Sequence, residues 1–314
     1  MHNGLTGISE CSQRQQLRCF SLRGFKSLNK LSRARQSRRG FTVLELLVTF
    51  VIIGTLMGLI LPAIGSAREV ARQLQCKNQL KQIGLALHSY HDTNNCMPPG
   101  WQWEASKQSA YSWAVTLLPY LEQRAIYDQV NRNQILSHLL NQSARSTSIV
   151  NFLCPSDITD PTFMLFKENE LAGSVTMSPL LELPTANYIG VFGTIEPDDS
   201  IPAPLGDGTF LESSPVRFVE LRRGLSNTII VGERTMAKVP STWLGVDSSG
   251  EDAACRLVGM AMTTPNCNSC DECEFSSRHP GGANFLWADG RVSMLSENMN
   301  SSNYQQMARR AIKY

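Results

Sequence analysis

The chain has 314 residues, which allows one or two domains with a sizeable core, and a formal net charge of +2. Nine of its 29 Lys and Arg residues, but only one of its 27 acids, lie in residues 1–40, so 20 basic and 26 acidic residues follow. A basic arm before an apolar segment and a mildly acidic body is a topology signal, and the arm lacks the interleaved aromatics and second basic surface that a nucleic-acid partner would favour.

An apolar run over residues 41–64 follows the basic arm, and Glu45 is its only charged residue. As a helix, its first 21 residues would measure about 31 Å, which matches the apolar core of a bilayer. The alternative is a buried helix of a soluble protein, but the basic arm in front favours membrane insertion. Because basic flanks stay in the cytoplasm, we predict a single-pass anchor whose N-terminus is cytoplasmic and whose residues after Ala67 are outside.

Glu45 is an unusual residue for such a segment, because a carboxylate in lipid costs free energy and normally has a partner. The run itself offers no obvious partner. Cleavage after Gly40 would create a positive amine on Phe41, and that amine could pair with Glu45 of the same chain or of a neighbour. Gly54 and Gly58 add a small-x-x-x-small face that allows close helix packing, although ordinary glycine content in a membrane helix is an equal explanation.

The order Gly40, Phe41, Thr42, Glu45, with a basic leader before it and Pro62 within the apolar stretch, resembles the amino terminus of type IV prepilins and pseudopilins. The resemblance implies that a prepilin peptidase/methyltransferase cuts between Gly40 and Phe41 and N-methylates Phe41. Glu45 would then guide assembly by pairing with the amino terminus of a neighbouring subunit. A leader of forty residues is longer than is usual in these proteins.

By the same resemblance, the protein sits in the bacterial inner membrane with a periplasmic head. Its partners are inner-membrane lipid and copies of itself or related pilin-like subunits. It would assemble into a filament like a type IV pilus or like a type II secretion pseudopilus. A cell-surface filament is a further location that the resemblance allows.

The helical pattern continues beyond the membrane segment as an amphipathic stretch over residues 65–95. Its apolar stripe consists of Cys76, Leu80, Ile83, Leu87 and Tyr90. The helix should end near Asn94 and Asn95, before Pro98 and Pro99. We also predict helices over 111–131, where Pro119 interrupts the pattern, and over 133–150.

Strand signals dominate the second half of the chain, with turn residues between them. The predicted strands are 152–157, 187–193, 216–219, 228–231, 256–258, 283–287 and 291–294. Asp289-Gly290 is a hairpin signal between the last two. The predicted fold class is therefore α+β, a pilin-like long N-terminal helix followed by a mainly antiparallel sheet head. The expected organisation is a cleaved leader (1–40), a transmembrane and assembly helix (41–64), its amphipathic continuation (65–95) and an extracytoplasmic head (96–314).

A second resemblance covers nearly all of the chain after Arg39. It rests on His88–Asp92, Cys154-Pro155-Ser156-Asp157, Gly224–Arg234 and Ser277–Gly290. These stretches are similar to a prepilin-like bacterial family of unknown function, sometimes labelled solute-binding-like. Its C-terminal signature is His, nine residues, Asp-Gly, which His279, Asp289 and Gly290 fit. This resemblance implies architecture and surface location but no reaction.

Seven cysteines follow the leader, and an extracytoplasmic head would favour disulfides between them. Cys76 with Cys154 is the first choice in a group that also contains Cys96. The second group contains Cys255, Cys267, Cys270 and Cys273. The spacing Cys267-x-x-Cys270-x-x-Cys273 also suits zinc or an iron–sulfur cluster, so the metal alternative stays open beside the favoured disulfides.

His279 and Asp289 permit a catalytic or ligand role. The favoured alternative is that the His279 imidazole bonds main chain in a loop, while Asp289 makes a turn. A calcium site is a further option, for which the oxygen ligands would be Asp247, Glu251, Asp252 and Asp289. No nucleotide-binding, serine-hydrolase or His-Glu-x-x-His motif occurs, so we expect neither an enzyme nor a cofactor.

The alternative function is a membrane-tethered periplasmic protein that binds a solute or polymer without polymerising. Its sugar-stacking surface would come from Trp101, Trp103, Trp113, Trp243 and Trp287. Core packing is the favoured role for most of these tryptophans. An enzyme that uses His279 is the remaining alternative.

Overall fold

The computed structural model describes residues 40–157, 160–171, 174–198, 202–267 and 269–311. The prediction of a leader therefore falls almost entirely outside the described residues. The chain divides into two compact units, one ending at Leu56 and one beginning at Met57.

Helix α1 (Val43–Asn94) is the longest element and confirms the predicted N-terminal helix and its end. Its apolar N-terminal part is long enough to cross a membrane. The large apolar side chains of residues 41–64 are exposed, from 42% for Ile64 to 80% for Val43, so this segment needs lipid or other helices to cover it. The helix stops where Asn95 adopts a left-handed conformation with φ 58°, just before Pro98.

The second part of α1 is a core helix of the head. Cys76, Leu80, Ile83 and Leu87 are fully buried, as the predicted stripe requires, and Tyr90 is half-buried. Gly84 lies on the same face.

The head contains eleven described strands in three sheets. They are β1 (Trp101–Trp103), β2 (Ser109–Ser112), β3 (Thr162–Leu171), β4 (Ser174–Ala186), β5 (Tyr188–Gly193), β6 (Ile229–Glu233), β7 (Ser241–Thr242), β8 (Gly245–Asp247), β9 (Val258–Met260), β10 (Gly282–Trp287) and β11 (Val292–Ser296). The largest sheet has the order β11-β10-β6-β5-β9, and the others are β1-β2-β8 and β3-β4-β7. All described strand pairs are antiparallel except β5 with β9, which confirms the mainly antiparallel α+β fold.

Two apolar clusters hold the head together. The larger one joins the buried face of α1 to Trp101, Trp113, Phe210 and Trp243. The smaller one joins β10 to helix α5 (Ser301–Ala308) through Phe285 and Tyr304, whose rings meet edge to face at 5.8 Å.

Several predicted elements are confirmed and others are wrong. The strands predicted at 187–193, 228–231, 283–287 and 291–294 correspond to β5, β6, β10 and β11. The strand predicted at 256–258 starts two residues later as β9. The one predicted at 216–219 overlaps a 3-10 turn, Phe218–Glu220, and the one at 152–157 is the end of a 3-10 turn, Val150–Phe152, followed by loop.

The two predicted middle helices break into short pieces. Over 111–131 the chain forms the end of β2, then α2 (Trp113–Leu117), a 3-10 turn and α3 (Arg124–Tyr127). Pro119 lies in that 3-10 turn, and Glu122 at its end is left-handed with φ 61°. Over 133–150 the only described α-helix is the four-residue α4 (Gln142–Arg145).

Candidate functional site

The start of α1 gives Glu45 a partner that the sequence analysis did not find. The main-chain N–H and the hydroxyl of Thr42 both donate to Glu45 Oε2 at 2.9 Å. In return, Glu45 N–H donates to Thr42 Oγ1 at 3.3 Å. This is a capping box, in which a Thr before the helix and a Glu three residues later satisfy free helix-end donors reciprocally. The signature Thr-x-x-Glu was present in the sequence.

A second group of functional side chains lies inside the head, around His279. Cys76 comes from α1, Cys154 from the loop after the 3-10 turn at 150–152, Glu233 from the end of β6, and His279 from the loop before β10. All four are buried, and their ligand-type atoms lie within 4.8 Å of one another. We call these four residues the His279 cluster.

Glu69 orients the His279 ring. His279 Nδ1 donates to Glu69 Oε1 at 2.8 Å, so Nε2 points to the other side, toward the rest of the cluster. Glu69 is itself held by Arg72, whose Nη2 lies 2.7 Å from Oε2, and by the Ser156 hydroxyl at 3.0 Å from Oε1. Glu69 and Cys76 are seven residues apart, which places them on one face of α1.

The remaining members are held by main chain and amides. His279 Nε2 lies 3.4 Å from Cys154 Sγ and 3.5 Å from Glu233 Oε1. Asn284 fixes Glu233 by donating from its main-chain N–H to Oε2 at 2.8 Å. Asn187 accepts the Cys154 N–H at 2.8 Å, and the sulfurs of Cys76 and Cys154 are 2.6 Å apart.

The surroundings shift the acid–base properties of this group. Burial opposes a charge on His279, but hydrogen bonds to Cys154, Glu233 and Glu69 outweigh it and raise the pKa of His279 to about 11. Burial also acts against ionised Glu69, but the hydrogen bonds from His279, Arg72 and Ser156 keep its pKa below the usual value. The contact with Cys76, together with burial, raises the pKa of the Cys154 thiol.

A small cleft of about 10 Å³, with room for roughly one water molecule, adjoins the cluster. Cys154 and Glu233 are part of its wall, together with Asp157, Arg234 and Arg278. Asp157 Oδ1 accepts from Arg278 Nε at 2.7 Å and from the Thr235 hydroxyl at 2.9 Å. The cleft is therefore polar and ordered by charge-assisted hydrogen bonds.

The favoured interpretation of His279 as a main-chain-bonded loop residue is wrong, because its ring contacts buried side chains. Asp289 does form a turn: its Oδ1 accepts the Arg291 N–H at 2.9 Å, and Gly290 has φ 80°, as the hairpin signal predicts. Lys81 Nζ donates to the Gly290 carbonyl at 2.5 Å. Within the described residues, Asp289 is in no group of three or more clustered ligand atoms, and neither are Asp247, Glu251 or Asp252, so the calcium option has no support.

The C-terminal cysteines pair as disulfides in the head. Cys255 bonds to Cys273 and Cys267 bonds to Cys270, which divides the Cys-x-x-Cys-x-x-Cys run between two bridges. The run therefore does not form one metal centre here. Cys96 is half-buried and Cys76 and Cys154 are unbonded, although close together.

Most tryptophans have the core role that was favoured. Trp101, Trp113, Trp243 and Trp287 are at most 5% exposed, which leaves no stacking surface on their rings. Trp103 is half-buried, and its Nε1 donates to Glu212 Oε1 at 2.5 Å. The sugar-stacking option thus loses four of its five residues.

Sequence reasoning missed Glu69 and Glu233. Glu69 reads as one acid on a charged stretch of helix, and Glu233 as the polar end of a strand. The sequence signal that could have identified them is their position. Glu69 lies two helical turns before a buried cysteine, and Glu233 ends a fully apolar run.

Comparison with known proteins supports both resemblances. Residues 65–302 match the model of a family described as a protein of unknown function (DUF1559), and residues 35–61 match the prokaryotic N-terminal methylation motif. The chain is 34% identical over 64 residues to the type II secretion system core protein G of Pseudomonas aeruginosa. That match covers 20% of this chain and 45% of the relative, less than half its length. No solved structure gave a significant match.

Proposed function

Because the chain belongs to the DUF1559 family of proteins of unknown function and carries a prokaryotic N-terminal methylation motif, we propose that it is a structural subunit of a pilin-like filament. A prepilin peptidase cuts it between Gly40 and Phe41 and methylates Phe41. The apolar helix anchors the subunit in the inner membrane with the head in the periplasm. It then assembles with copies of itself or with related pilin-like subunits.

One observation carries this proposal: the methylation motif match over residues 35–61 coincides with an exposed apolar helix that has Glu45 in its first turn. Lipid covers the helix in the membrane-bound subunit, and neighbouring helices cover it in the filament. Gly54 and Gly58 favour that exchange, because open space surrounds both positions and a neighbouring backbone can approach closely.

The capping box adds a mechanism for Glu45. In the single subunit, Thr42 donates to the carboxylate, so the acid is hydrogen-bonded before assembly. In the filament, the methylated amine of a neighbouring Phe41 replaces Thr42 as the partner of the Glu45 carboxylate. The charge of that amine, rather than the hydrogen bonds of Thr42, then sets the register between subunits.

Three substitutions separate these two roles of Glu45. Glu45→Gln keeps the capping box, since Gln also serves at that position, but removes the charge. Thr42→Ala removes the hydroxyl partner and keeps the charge, and Glu45→Ala removes both functions. We expect Glu45→Gln and Glu45→Ala to insert into the membrane normally but to be absent from sheared filaments, whereas Thr42→Ala is incorporated.

The measurement is an immunoblot of membrane and sheared-filament fractions from cells that express each variant. Incorporation of Glu45→Gln at the wild-type level would refute the role of the charge pair. If the wild-type protein itself were absent from every filament fraction, the chain would be an anchored head that does not polymerise.

A further inference from the structure

The His279 cluster has the composition of a closed metal site. Two sulfurs, one imidazole nitrogen and one carboxylate oxygen lie within 4.8 Å of one another. The distance from His279 Nε2 to Cys154 Sγ is 3.4 Å, and that to Glu233 Oε1 is 3.5 Å. Ligand atoms at 2.0–2.3 Å from a tetrahedral zinc ion are roughly 3.3–3.8 Å apart, so both distances fit.

The residues around the cluster hold the ligands as outer-shell groups do in metal sites. Glu69 accepts the Nδ1 proton of His279, so Nε2 faces the cluster and would direct its lone pair there once an ion displaced the Nε2 proton. Asn284 donates to Glu233 Oε2 from its main-chain N–H and to both carboxylate oxygens from its side-chain amide, and Oε1 also faces His279. The carboxylate–imidazole arrangement is the one that fixes ring orientation in many zinc sites.

We propose that Cys76, Cys154, Glu233 and His279 bind one zinc-class divalent ion, with Glu69 as the positioning residue of His279. The mixture of thiolate, imidazole and carboxylate ligands suits zinc rather than calcium or magnesium, which prefer oxygen alone. The two thiolates and Glu233 carry three negative charges, of which the ion offsets two. All four ligand residues are at most 5% exposed, so the site is structural rather than open to substrate.

The separation between the sulfurs of Cys76 and Cys154 lies between the values for a disulfide and for a zinc-bound pair. At 2.6 Å it is longer than a disulfide bond, which measures about 2.05 Å. It is shorter than the roughly 3.8 Å between two zinc-bound thiolates. A disulfide would use both sulfurs and leave His279 between two carboxylates, and the experiment below therefore determines the state of both cysteines.

Binding would join four segments that are distant in sequence: the core part of α1, the loop at 154, the end of β6 and the loop before β10. Cys154 and Glu233 also line the small cleft beside the cluster. The site lies wholly in the unit after Met57, so its existence does not depend on filament assembly.

The test uses the full chain, purified in detergent without chelators and dialysed against metal-free buffer. We expect one zinc ion per chain by elemental mass spectrometry. After exchange with Co²⁺ alone, we expect a thiolate-to-cobalt charge-transfer band and the strong visible absorption of tetrahedral cobalt. Peptide mapping after alkylation in denaturant should show Cys76 and Cys154 as free thiols once the metal is removed.

Substitutions of the proposed ligands and of Glu69 test where the ion binds. Cys76→Ser and His279→Ala should lose the bound zinc, and Glu69→Ala should bind it about 10–100-fold more weakly, the usual effect of removing an outer-shell partner. Cys96→Ser is the matched control, because Cys96 is a free cysteine outside the cluster, and it should retain the full content.

Two results would overturn the proposal. One is a Cys76–Cys154 linked peptide in the alkylated wild-type protein. The other is a wild-type chain with free thiols that takes up neither Zn²⁺ nor Co²⁺. The wild-type measurements decide the question even if a variant fails to fold.

Discussion

Glu274 and Arg234 are buried charged residues that lie outside the His279 cluster. Each is about 1% exposed. Glu274 Oε1 accepts the main-chain N–H groups of Thr263 at 2.7 Å and Met262 at 3.1 Å. Burial raises the pKa of Glu274 to about 7 in spite of these bonds, and burial lowers the pKa of Arg234 to about 9. Arg234 donates to the main-chain carbonyls of both Cys255 and Cys273, so it braces their disulfide.

The raised pKa of Glu274 predicts a specific pH dependence of stability. The folded state holds this proton more tightly than the unfolded state, whose pKa is near 4.5. The contribution of Glu274 is therefore full below pH 4.5 and is lost as pH rises toward about 7. The total loss is about 3 kcal/mol, because the pKa of Glu274 is 4.5 in the unfolded chain and about 7 in the folded one.

Glu274→Gln, a neutral residue of the same shape, should remove this slope. We expect the difference in unfolding free energy between variant and wild type to grow in favour of the variant from pH 4.5 to 7, measured by urea unfolding in detergent. Glu122→Gln, at an exposed position, is the control and should give a flat difference. A flat difference for Glu274→Gln as well would show that Glu274 ionises normally.

At single residues, some members of the sites could be identified from the sequence and others could not. Glu45 stands out because it is alone in an apolar run, but its Thr42 partner required knowledge of where the helix begins. His279 was identified from a motif. Glu69 and Glu233 could not be, because only the tertiary fold brings them within reach of the same imidazole.

Among the elements, the packing of α1 against β10 depends on Gly84. A Cβ atom at that position would lie 2.8 Å from Cδ1 of Leu286, which is fully buried. Two effects then compete in Gly84→Ala: helix propensity favours Ala by about 1 kcal/mol, and overpacking costs about 1–3 kcal/mol. We expect a net loss of at most about 2 kcal/mol for Ala and a larger one for Gly84→Val.

Thermal unfolding of the detergent-solubilised chain measures both changes. Gly65→Ala on the same helix, where open space surrounds the position, should not destabilise. Combining Gly84→Val with Leu286→Ala makes room for the new side chain, so the double variant should lose less stability than the sum of the single variants. Strict additivity would mean that the two residues do not clash.

The elements that could be predicted are those whose own sequence decides their conformation. Helix α1 has a continuous pattern, and β10 and β11 are apolar runs joined by Asp289-Gly290. The hairpin of β3 and β4 was not predicted, because Pro179 and Pro184 lie inside β4 and proline normally argues against a strand. Phe166 pairs with Pro179 directly after a register shift, and that irregularity accommodates the ring.

For the whole molecule, the proposed cleavage would change its charge. Removal of residues 1–40 converts a chain of net charge +2 into one of −6. We expect the intact mass of the protein from membranes to correspond to residues 41–314 plus one methyl group. Gly40→Asp should prevent cleavage, because it replaces the small residue at the cut.

The control is a glycine-to-aspartate change elsewhere in the chain, such as Gly65→Asp at an open helical position, which should leave the mature mass shifted only by the substitution itself. A native protein that retains its first forty residues would contradict the processing step.

The broad architecture was predictable because charge and hydropathy alone separate a basic arm, an apolar helix and a head. The arrangement of the head into three sheets was not. Strands β1, β7, β8 and β9 are only two or three residues long. Some strand partners are far apart in sequence: Tyr111 pairs with Gly245, 134 positions away, and Ser109 pairs with Asp247, 138 positions away. Such short segments carry too few residues for a recognisable period.

The cap at the start of α1 uses Thr42, not Phe41. The proposed cleavage after Gly40 would therefore leave both donors of the cap on the mature chain, and a subunit that left the proposed filament could restore these hydrogen bonds. Glu45 would then have hydrogen-bond or ionic partners both in the membrane and in the filament, so a subunit could pass between the two without an unpaired carboxylate in lipid.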